Sequence, residues 1–369
     1  MASESLDLST LQATLKEQGA TWQAGVTTLT RLSQEERQLR LGATPPPEEP
    51  TMLEREEVSK AQLASQAATW AEGEVKAYPA SYDLRNVGGN NYITSIRDQG
   101  GCGSCVAFGT TATVEGTFRV QRSNSGLNVD LSEADLFYCI AASGGNNCDT
   151  GWWPDNAFDG YKNTGVPDEA CFPYTAGNQA CNRCSDWQNR VTKITGWHKI
   201  TSAADMKTWI STHGPLDACF SVYNDFFGYS SGIYHHVTGA YAGGHCVGIV
   251  GYNDSGQYWI AKNSWGTGWG ESGFFRIGYG ECGIDSEMWA VEGILETMWL
   301  NNVYVQGAWV TDQDRNAWVY LSSIGWRRIT YDNDNIFYNI LSQLLAAKAA
   351  SRPVNVYEDQ GIIKQVYVF

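Results

Sequence analysis

The chain lacks several features that would restrict its function. No run approaches the ~18–20 consecutive apolar residues of a membrane span, so we expect no transmembrane helix. Basic residues are scarce: 25 lysines and arginines stand against 40 aspartates and glutamates, which gives a net charge of −15. Because nucleic acid phosphates would be repelled, this charge argues against a nucleic acid partner. The length of 369 residues and the hydrophobic content of 43% are ordinary for a soluble globular protein.

Cysteine is absent before Cys102 and after Cys282, although the chain contains ten cysteines. Composition alone therefore bounds a disulfide-bearing region, and its cysteine density favours an oxidising compartment. The first ten residues contain no basic region followed by an apolar core, so no signal peptide is visible there. The expectation is a protein that is secreted or held in another oxidising compartment.

Histidine is also scarce, with five in the chain, which makes a multi-histidine metal site unattractive. Four of them are interpreted as loop or surface residues: His198, His213, His235 and His236. A zinc site at Cys181 and Cys184 is a competing idea, but no second close cysteine pair stands at finger spacing. The expectation is no metal and no cofactor.

The most informative stretch is residues 98–108, Asp-Gln-Gly-Gly-Cys-Gly-Ser-Cys-Val-Ala-Phe. Its glycines indicate a tight turn, and a helical stripe of larger residues follows. Cys105 would then lie at a helix N-terminus, where unpaired N–H groups and the helix dipole favour the nucleophilic thiolate. Gln99 supplies an amide donor on the same turn.

This stretch resembles the nucleophile segment of the papain-like cysteine peptidases, in which a histidine and an asparagine follow about 130–150 residues downstream. Residues 243–247, Gly-Gly-His-Cys-Val, resemble the family's histidine segment, and residues 263–273 are similar to its asparagine segment. The resemblance implies an α+β, two-lobed papain-like fold: a helical lobe with a central nucleophile helix and an antiparallel β-barrel-like lobe. One departure is Val106, where the family usually has an aromatic residue.

The resemblance also implies roles for individual residues. Cys105 would be the nucleophile, His245 its acid–base partner and Asn263 the residue that orients the imidazole. Gln99 would bind the oxyanion, and Trp265 would shield the contact between His245 and Asn263 from water.

Local geometry supports the pairing of the histidine with the asparagine independently. If Tyr252 pairs with Gln257 across the turn at residues 253–256, His245 and Asn263 arrive within one residue of each other at the same sheet end.

Specificity is expected to depend on Glu287, five residues after Cys282, because this segment is similar to that of cathepsin B. The resemblance puts Glu287 at the floor of the pocket for the second substrate residue before the scissile bond. An arginine there could bind the carboxylate through a charge-assisted hydrogen bond. Gly151 and Trp152 would form the facing wall. The alternative is that Glu287 faces solvent or pairs with a neighbouring arginine.

By resemblance we also expect a disulfide between Cys102 and Cys148. Four further cysteines would form two more bridges, most simply Cys139–Cys181 and Cys171–Cys184, although sequence cannot fix the pairing. Cys219, Cys246 and Cys282 are interpreted as buried thiols, with an oxidised pair among them as the alternative.

Three regions follow from these assignments: an inhibitory propeptide at 1–76, the papain-like peptidase domain at 77–293 and a small β-rich module at 294–369. In the first region, apolar residues at roughly helical spacing predict amphipathic helices: Leu11, Leu15, Trp22, Val26, Leu29 and Leu32. Prolines at 45–47 break any helix, and residues 54–74 are a helix or a flexible tether. The alternative to a propeptide is an ordinary helical cap. The peptidase domain would begin near Ala77.

In the peptidase domain, a Gly-, Asn- and Cys-rich region at 139–184 is expected to be irregular and held by disulfides. Strands are predicted at 216–222, 246–252, 258–263 and 273–277. The module is predicted to contain strands at 302–310, 317–321, 354–357 and 362–369. It would also contain a helix at 335–350 with Ile336, Ile340, Leu341, Leu344 and Leu345 on its apolar face. Trp309, Trp318 and Trp326 suggest binding of a carbohydrate or a protein, but the preferred interpretation is that they form the core of the module.

The function predicted from sequence is that of a cysteine endopeptidase made as a zymogen, which hydrolyses polypeptide substrates through a thioester acyl-enzyme and is inhibited by its own propeptide. A transglutaminase or acyltransferase is one alternative, but an aspartate usually takes the place of Asn263 there. A catalytically silent binding protein on the same fold is the other, although it would be expected to have lost one of the four site residues.

Overall fold

A computed structural model describes residues 6–70, 78–312, 314–322, 324–331, 333–359 and 361–368. The predicted start of the peptidase domain near Ala77 lies outside these residues. The chain divides into two compact units. Unit 1 comprises Met1–Ser185 and Ile194–Ile294, and unit 2 comprises Asp186–Lys193 and Leu295–Phe369. Unit 2 therefore includes a short stretch, residues 186–193, that the sequence did not assign to the module.

Seven α-helices can be named along the described residues: α1 Leu8–Glu17, α2 Gln34–Gln38, α3 Met52–Trp70, α4 Cys105–Gln121, α5 Pro154–Asn163, α6 Ala203–Thr212 and α7 Asp334–Ala349. A π-helical segment spans Asp135–Ala141. The side-chain hydroxyl of Ser132 accepts a hydrogen bond from the backbone N–H of Asp135, the first residue of this segment, at 2.9 Å.

Unit 1 contains a nine-stranded sheet. In chain order, its strands are β1 Trp22–Ala24, β2 Ser81–Asp83, β4 Trp197–Ile200, β5 Leu216–Tyr223, β6 Tyr229–Tyr234, β7 Tyr241–Asn253, β8 Tyr258–Lys262, β9 Phe274–Gly278 and β10 Met288–Val291. The spatial order is β1-β6-β9-β8-β7-β5-β10-β4, with β2 paired to β7. One hydrophobic core lies on this sheet, and a second is built around α4, α5 and the π-helical segment. Two cores in one unit agree with the expected α+β, two-lobed fold.

The N-terminal segment, residues 6–70, is less helical than predicted. Leu11 and Leu15 are buried on α1, but Trp22 belongs to β1, which pairs antiparallel with β6. Val26 is 67% exposed. The helical spacing was therefore misleading at Trp22, because pairing with a sheet edge satisfied the backbone of residues 22–24 instead. Of the two alternatives for residues 54–74, the structure has the helix, α3, as far as Trp70, and residues 71–74 lie outside the described residues.

The cysteine-rich region contains a helix that the sequence interpretation missed. Helix α5 begins with Pro154, whose fixed φ suits a first helical position, and it buries Ala157, Phe158 and Tyr161. Around it, disulfides join Cys102 to Cys148, which is the pair that the resemblance implies, and Cys139 to Cys181 and Cys171 to Cys184, which are the pairs preferred from sequence.

A fourth disulfide joins Cys219 to Cys246, so the preferred interpretation of these two residues as buried thiols was wrong. They face each other across β5 and β7, a proximity that no local sequence signal reveals. Cys282 is a buried free thiol.

The hairpin of β7 and β8 has a different register from the predicted one. Tyr252 pairs with Trp259 rather than Gln257, and Asn253 pairs with Tyr258. The turn therefore spans residues 254–257, and Gln257 has a left-handed φ of 53°. A bulge between Ile249 and Gly251 then shifts the register by one residue toward the far end of the hairpin.

Unit 2 contains a seven-stranded sheet covered by α7. Its strands are β3 Thr192–Ile194, β11 Ile294–Val303, β12 Val305–Val310, β13 Ala317–Leu321, β14 Gly325–Ile329, β15 Val354–Asp359 and β16 Ile362–Val368, in the spatial order β12-β13-β14-β16-β15-β11-β3. Where the register of two neighbouring strands is described, the strands are antiparallel, except that β14 and β16 are parallel. The β-rich C-terminal module is thus present, with β14 as a strand that the sequence did not predict.

The core of unit 2 differs from the preferred prediction. Aliphatic residues of the strands pack with Phe337, Ile340, Leu344 and Ala347 of α7. Trp309 and Trp326 are outside this core, 52% and 49% exposed. The buried face of α7 differs from the predicted one. Ile336 and Leu345, which were predicted to be on it, are each 41% exposed, whereas Phe337, which was not predicted, is buried.

Among the described residues, no helix is both long enough and apolar enough to cross a membrane.

Leu344 provides a test of whether unit 2 is held by its own core. Its side chain is fully buried, so Leu344→Ala should lower the free energy of unfolding of unit 2 by about 2–5 kcal/mol. Leu345→Ala is the matched control and should change it by less than about 0.5 kcal/mol, because Leu345 is largely exposed. Native-state hydrogen exchange measures both. Equal losses of protection for the two variants, or an equal loss in unit 1, would contradict this assignment of the core.

Candidate active site

Cys105 is the first residue of α4, as the glycine-rich turn before it predicted. A helix N-terminus normally favours the thiolate, but here the side chain is fully buried. Burial raises the pKa of the Cys105 thiol to about 12, although hydrogen bonds from the backbone N–H groups of Cys246 and Gly42 act in the opposite direction. In this form of the protein the thiol is therefore neutral.

His245 and Asn263 lie together on neighbouring parts of the sheet. The Nε2 atom of His245 is 2.8 Å from Oδ1 of Asn263, and this oxygen also accepts the backbone N–H of Ser264. The predicted contact is thus present even though the predicted strand register was wrong. Burial lowers the pKa of His245 to about 4, against the opposing effects of Asn263 and the Arg40 carbonyl. The imidazole is neutral at pH 6–7.

The β7 strand connects His245 to Cys105. Cys246 follows His245 directly, and its backbone N–H acts to lower the pKa of the Cys105 thiol, against the larger effect of burial. The disulfide from Cys246 to Cys219 fixes this part of β7 to β5. The nucleophile candidate and the imidazole are therefore positioned by two consecutive residues of one cross-linked strand.

Gln99 is fully buried on the same side of the site. Its Oε1 accepts the Ser264 hydroxyl at 2.6 Å, which fixes the side-chain amide next to Asn263. Its Nε2 donates to the carbonyl of Cys102 at 2.9 Å and to the carbonyl of Arg40 at 3.1 Å. The amide donor predicted from sequence therefore already binds a carbonyl oxygen of the N-terminal segment.

Trp265 packs over the imidazole. Its ring centroid is 4.6 Å from that of His245, and the side chain has no exposed surface. Burial of the ring beside the His245–Asn263 hydrogen bond would exclude water from that contact.

Residues 42–44 of the N-terminal segment cross the site. The N–H groups of Gly42 and Ala43 donate to the Gly244 carbonyl, both at 3.1 Å. On the other side, the Trp152 N–H donates to the Gly42 carbonyl at 2.8 Å, and Thr44 N–H donates to the Trp152 carbonyl at 3.0 Å. Gly42 must be a glycine, because a Cβ there would overlap the Gly103 backbone.

The wall residues predicted from sequence, Gly151 and Trp152, therefore contact the chain's own N-terminal segment. Gly151 has a left-handed φ of 68°, and a Cβ there would overlap Gly42. Sequence reasoning missed Gly42 itself, since a single glycine between Leu41 and Ala43 carries no recognisable signal.

Glu287 is in contact with another residue that sequence reasoning missed. Arg55 of α3 donates from Nη1 to Glu287 Oε1 at 2.5 Å and from Nη2 to Glu49 Oε2 at 2.8 Å. The guanidinium also lies over the Trp153 ring, 4.7 Å from its centroid. Glu287 therefore pairs with an arginine, one of the two outcomes weighed from sequence, and this arginine comes from the N-terminal segment.

The chain is similar to known cysteine proteases. The model of the papain family cysteine proteases matches residues 78–291. A cathepsin L-like proteinase from Fasciola hepatica is 37% identical over 206 residues, which cover 54% of this chain and 60% of that protein. A gut-specific cysteine proteinase from Caenorhabditis elegans is 34% identical over 235 residues, covering 57% of this chain and 71% of the relative.

Solved structures of procathepsins are similar to more than three quarters of the chain. Procathepsin B S9 from Trypanosoma congolense aligns with a TM-score of 0.62 and 25% identity, over 78% of this chain and 98% of that one. Digestive procathepsin L 3 from Tenebrio molitor larval midgut aligns with a TM-score of 0.60 and 29% identity, over 77% and 87%. The chain belongs to the papain family of cysteine proteases and has the fold of a procathepsin.

Proposed function

We propose that the chain is a cysteine endopeptidase made as a zymogen, with Cys105, His245 and Asn263 as its catalytic residues. The observation that carries this proposal is the 2.8 Å contact between His245 Nε2 and Asn263 Oδ1. It occupies one ring nitrogen and leaves Nδ1 to exchange a proton with the thiol.

The reaction has two stages. The Cys105 sulfur attacks the peptide carbonyl carbon, and the imidazolium of His245 protonates the leaving nitrogen as the C–N bond breaks. The amine leaves, and the acyl group remains as a thioester. Water then attacks the thioester carbon while His245 accepts a proton from it. The C–S bond breaks, which releases the carboxylic acid product and restores the thiolate–imidazolium pair.

Gln99 Nε2 and the Cys105 backbone N–H would stabilise the oxyanion in both stages. The present contact from Gln99 Nε2 to the Arg40 carbonyl supports this role, because it shows an amide donor aimed at a backbone carbonyl oxygen. Loss of one such donor typically lowers turnover about 100- to 1000-fold.

The N-terminal segment would act as an intramolecular inhibitor of peptidase activity. Its backbone fills both sides of the site through Gly42 and Thr44, and its burial of Cys105 and His245 keeps both groups uncharged. A thiolate–imidazolium pair would form once the segment leaves and water reaches the site.

The experiment is to label Cys105 in the full-length chain with an epoxide-type thiol inhibitor, before and after limited proteolysis ahead of Tyr78. Peptide hydrolysis and labelling at Cys105, located by mass spectrometry, should appear only after proteolysis. Cys105→Ala should abolish both, whereas Cys282→Ala should leave the label at Cys105. Absence of hydrolysis and labelling after proteolysis would refute the peptidase assignment, and equal labelling before proteolysis would refute latency.

Gly42 tests the inhibitory contact specifically. In Gly42→Val the added side chain would overlap Gly103, so residues 40–44 should leave the site. Cys105 of the uncleaved variant should then react with iodoacetamide at pH 7 at least tenfold faster than in the wild type. Val26→Ala, at an exposed position of the same segment, is the control and should react at the wild-type rate. If Gly42→Val also reacts at the wild-type rate, contact at Gly42 is not what protects the thiol.

The pocket that contains Glu287 would bind the second substrate residue before the scissile bond and accept arginine. The Arg55 guanidinium supports this assignment, because it already satisfies Glu287 there while its side chain is only 4% exposed. A carboxylate enclosed in this way is stabilised by a cationic partner and destabilised by an apolar one.

Glu287→Ala in the activated protein should therefore cost substrates with arginine at this position about 1.5–3 kcal/mol in kcat/KM, which is the scale of a hydrogen bond to a charged group. Leucine substrates should lose little. Glu292→Ala removes an exposed carboxylate and should affect neither substrate. Equal losses of kcat/KM for arginine and leucine substrates would show that Glu287 does not line this pocket.

The module at 294–369 would bind a protein or carbohydrate partner and thereby localise the peptidase. The half-exposed indoles of Trp309 and Trp326 support this role, because such rings offer apolar surface together with an N–H donor. The four disulfides support a secreted location or another oxidising compartment.

A further inference from the structure

A lysine lies beside the Glu287 pocket, where the family resemblance gave no reason to expect one. Lys199 Nζ, on β4, is 3.2 Å from Asp155 Oδ2, 2.9 Å from Glu49 Oε1 and 3.6 Å from Glu287 Oε1. It also lies 5.4 Å from the centroid of the Trp289 ring. Lys199 therefore lies among three carboxylates. Two of them, Asp155 and Glu287, belong to the protease region, and the third, Glu49, belongs to the N-terminal segment.

The net charge of this cluster can be counted before and after the N-terminal segment leaves. Three carboxylates, Glu49, Asp155 and Glu287, face two cations, Arg55 and Lys199, so the cluster has one net negative charge. Glu49 and Arg55 belong to the segment and leave together. Two carboxylates and one ammonium remain, and the net charge is still one negative.

One cation can pair fully with only one of the two remaining carboxylates, so the pocket has two arrangements. When Lys199 pairs with Asp155, Glu287 is free to bind a cationic substrate side chain. When Lys199 moves toward Glu287, that carboxylate is compensated internally, and an apolar side chain can enter without leaving an unpaired charge at the pocket floor.

Asp155 is positioned well for this exchange. Its Oδ1 accepts the indole N–H of Trp289 at 2.7 Å, and Trp289 is fully buried. The carboxylate is thereby fixed beside the pocket, with Oδ2 directed to Lys199.

We propose that Lys199 and Asp155 set the substrate preference of the Glu287 pocket, with Lys199 as a mobile counter-ion that lets it accept both arginine and apolar residues. This inference rests on the proposed peptidase function and on the position of Glu287 in the pocket. Asp155 favours the arginine-binding arrangement, because it holds Lys199 away from Glu287. The two residues should therefore act on specificity in opposite directions.

The test compares kcat/KM for two peptides that differ only in arginine or leucine at the second residue before the scissile bond. Full-length variants are folded, activated by proteolysis ahead of Tyr78 and titrated with the epoxide inhibitor to count active sites. Lys199→Met should raise the arginine-to-leucine ratio tenfold or more, because Glu287 loses its internal partner. Asp155→Asn keeps an acceptor for the Trp289 N–H, and it should lower the ratio tenfold or more because Lys199 turns to Glu287.

Lys162→Met is the control for charge, since it removes one exposed lysine elsewhere on the protease region and should leave the ratio unchanged. The proposal is overturned if Lys199→Met and Asp155→Asn shift the ratio in the same direction, or if neither differs from Lys162→Met. Failure of the proposed function would look different, because no variant would then bind the titrant or cleave either peptide. An error in the pocket would appear as an unchanged ratio in Glu287→Ala with activity intact.

Discussion

Burial of the Cys105 sulfur under the backbone of residues 40–44 is the constraint on which the chemistry of this form depends. A thiol at a helix N-terminus would ordinarily be favoured as the thiolate, yet desolvation outweighs the nearby backbone N–H groups and keeps the sulfur protonated. The same residues desolvate His245 and supply a carbonyl to Gln99. One short stretch of backbone therefore acts on Cys105, His245 and Gln99 at once.

Side chains of the same segment extend this coverage to Glu287. Arg55 forms ion pairs with both Glu287 and Glu49. Because Glu49 belongs to the same segment as Arg55, the two residues together add no net charge to the surroundings of Glu287. The guanidinium stacks on Trp153 and satisfies Glu287, two interactions that a substrate arginine could make in its place. The N-terminal segment is thus held by the backbone hydrogen bonds of residues 42–44 and by the ion pair of the Arg55 side chain with Glu287.

Short sequence motifs predicted the contacts within the site better than hydrophobic periodicity predicted the helices and strands that carry them. The turn before Cys105 and the helix after it follow from glycine and stripe spacing, and His245 meets Asn263 as expected. The hairpin register between them was nevertheless wrong, because a left-handed Gln257 lengthened the turn and a bulge shifted the ladder. The contact between His245 and Asn263 is nevertheless present, because their side chains are long enough to meet when the strand register differs by one or two residues from the predicted one.

Long-range pairings explain the remaining differences. Trp22 has helical spacing with its neighbours, but an edge of the sheet more than 200 residues away determines its conformation. Cys219 and Cys246 became partners through strand pairing, and Arg55 reached Glu287 across 232 residues. Local patterns contain no information about such contacts. The same limit applies to the module, where α7 turned Phe337 inward and Ile336 outward.

The burial of Cys105 also bears on how the chain acquires its disulfides. Eight of its ten cysteines are cross-linked, and the other two, Cys105 and Cys282, are buried thiols. Thiol–disulfide exchange requires an accessible thiolate, and burial raises the pKa of the Cys105 thiol so far that the group is almost entirely protonated at pH 7. In the folded chain, burial therefore keeps the Cys105 thiol out of oxidative pairing, in the same environment that preserves the cross-links around it.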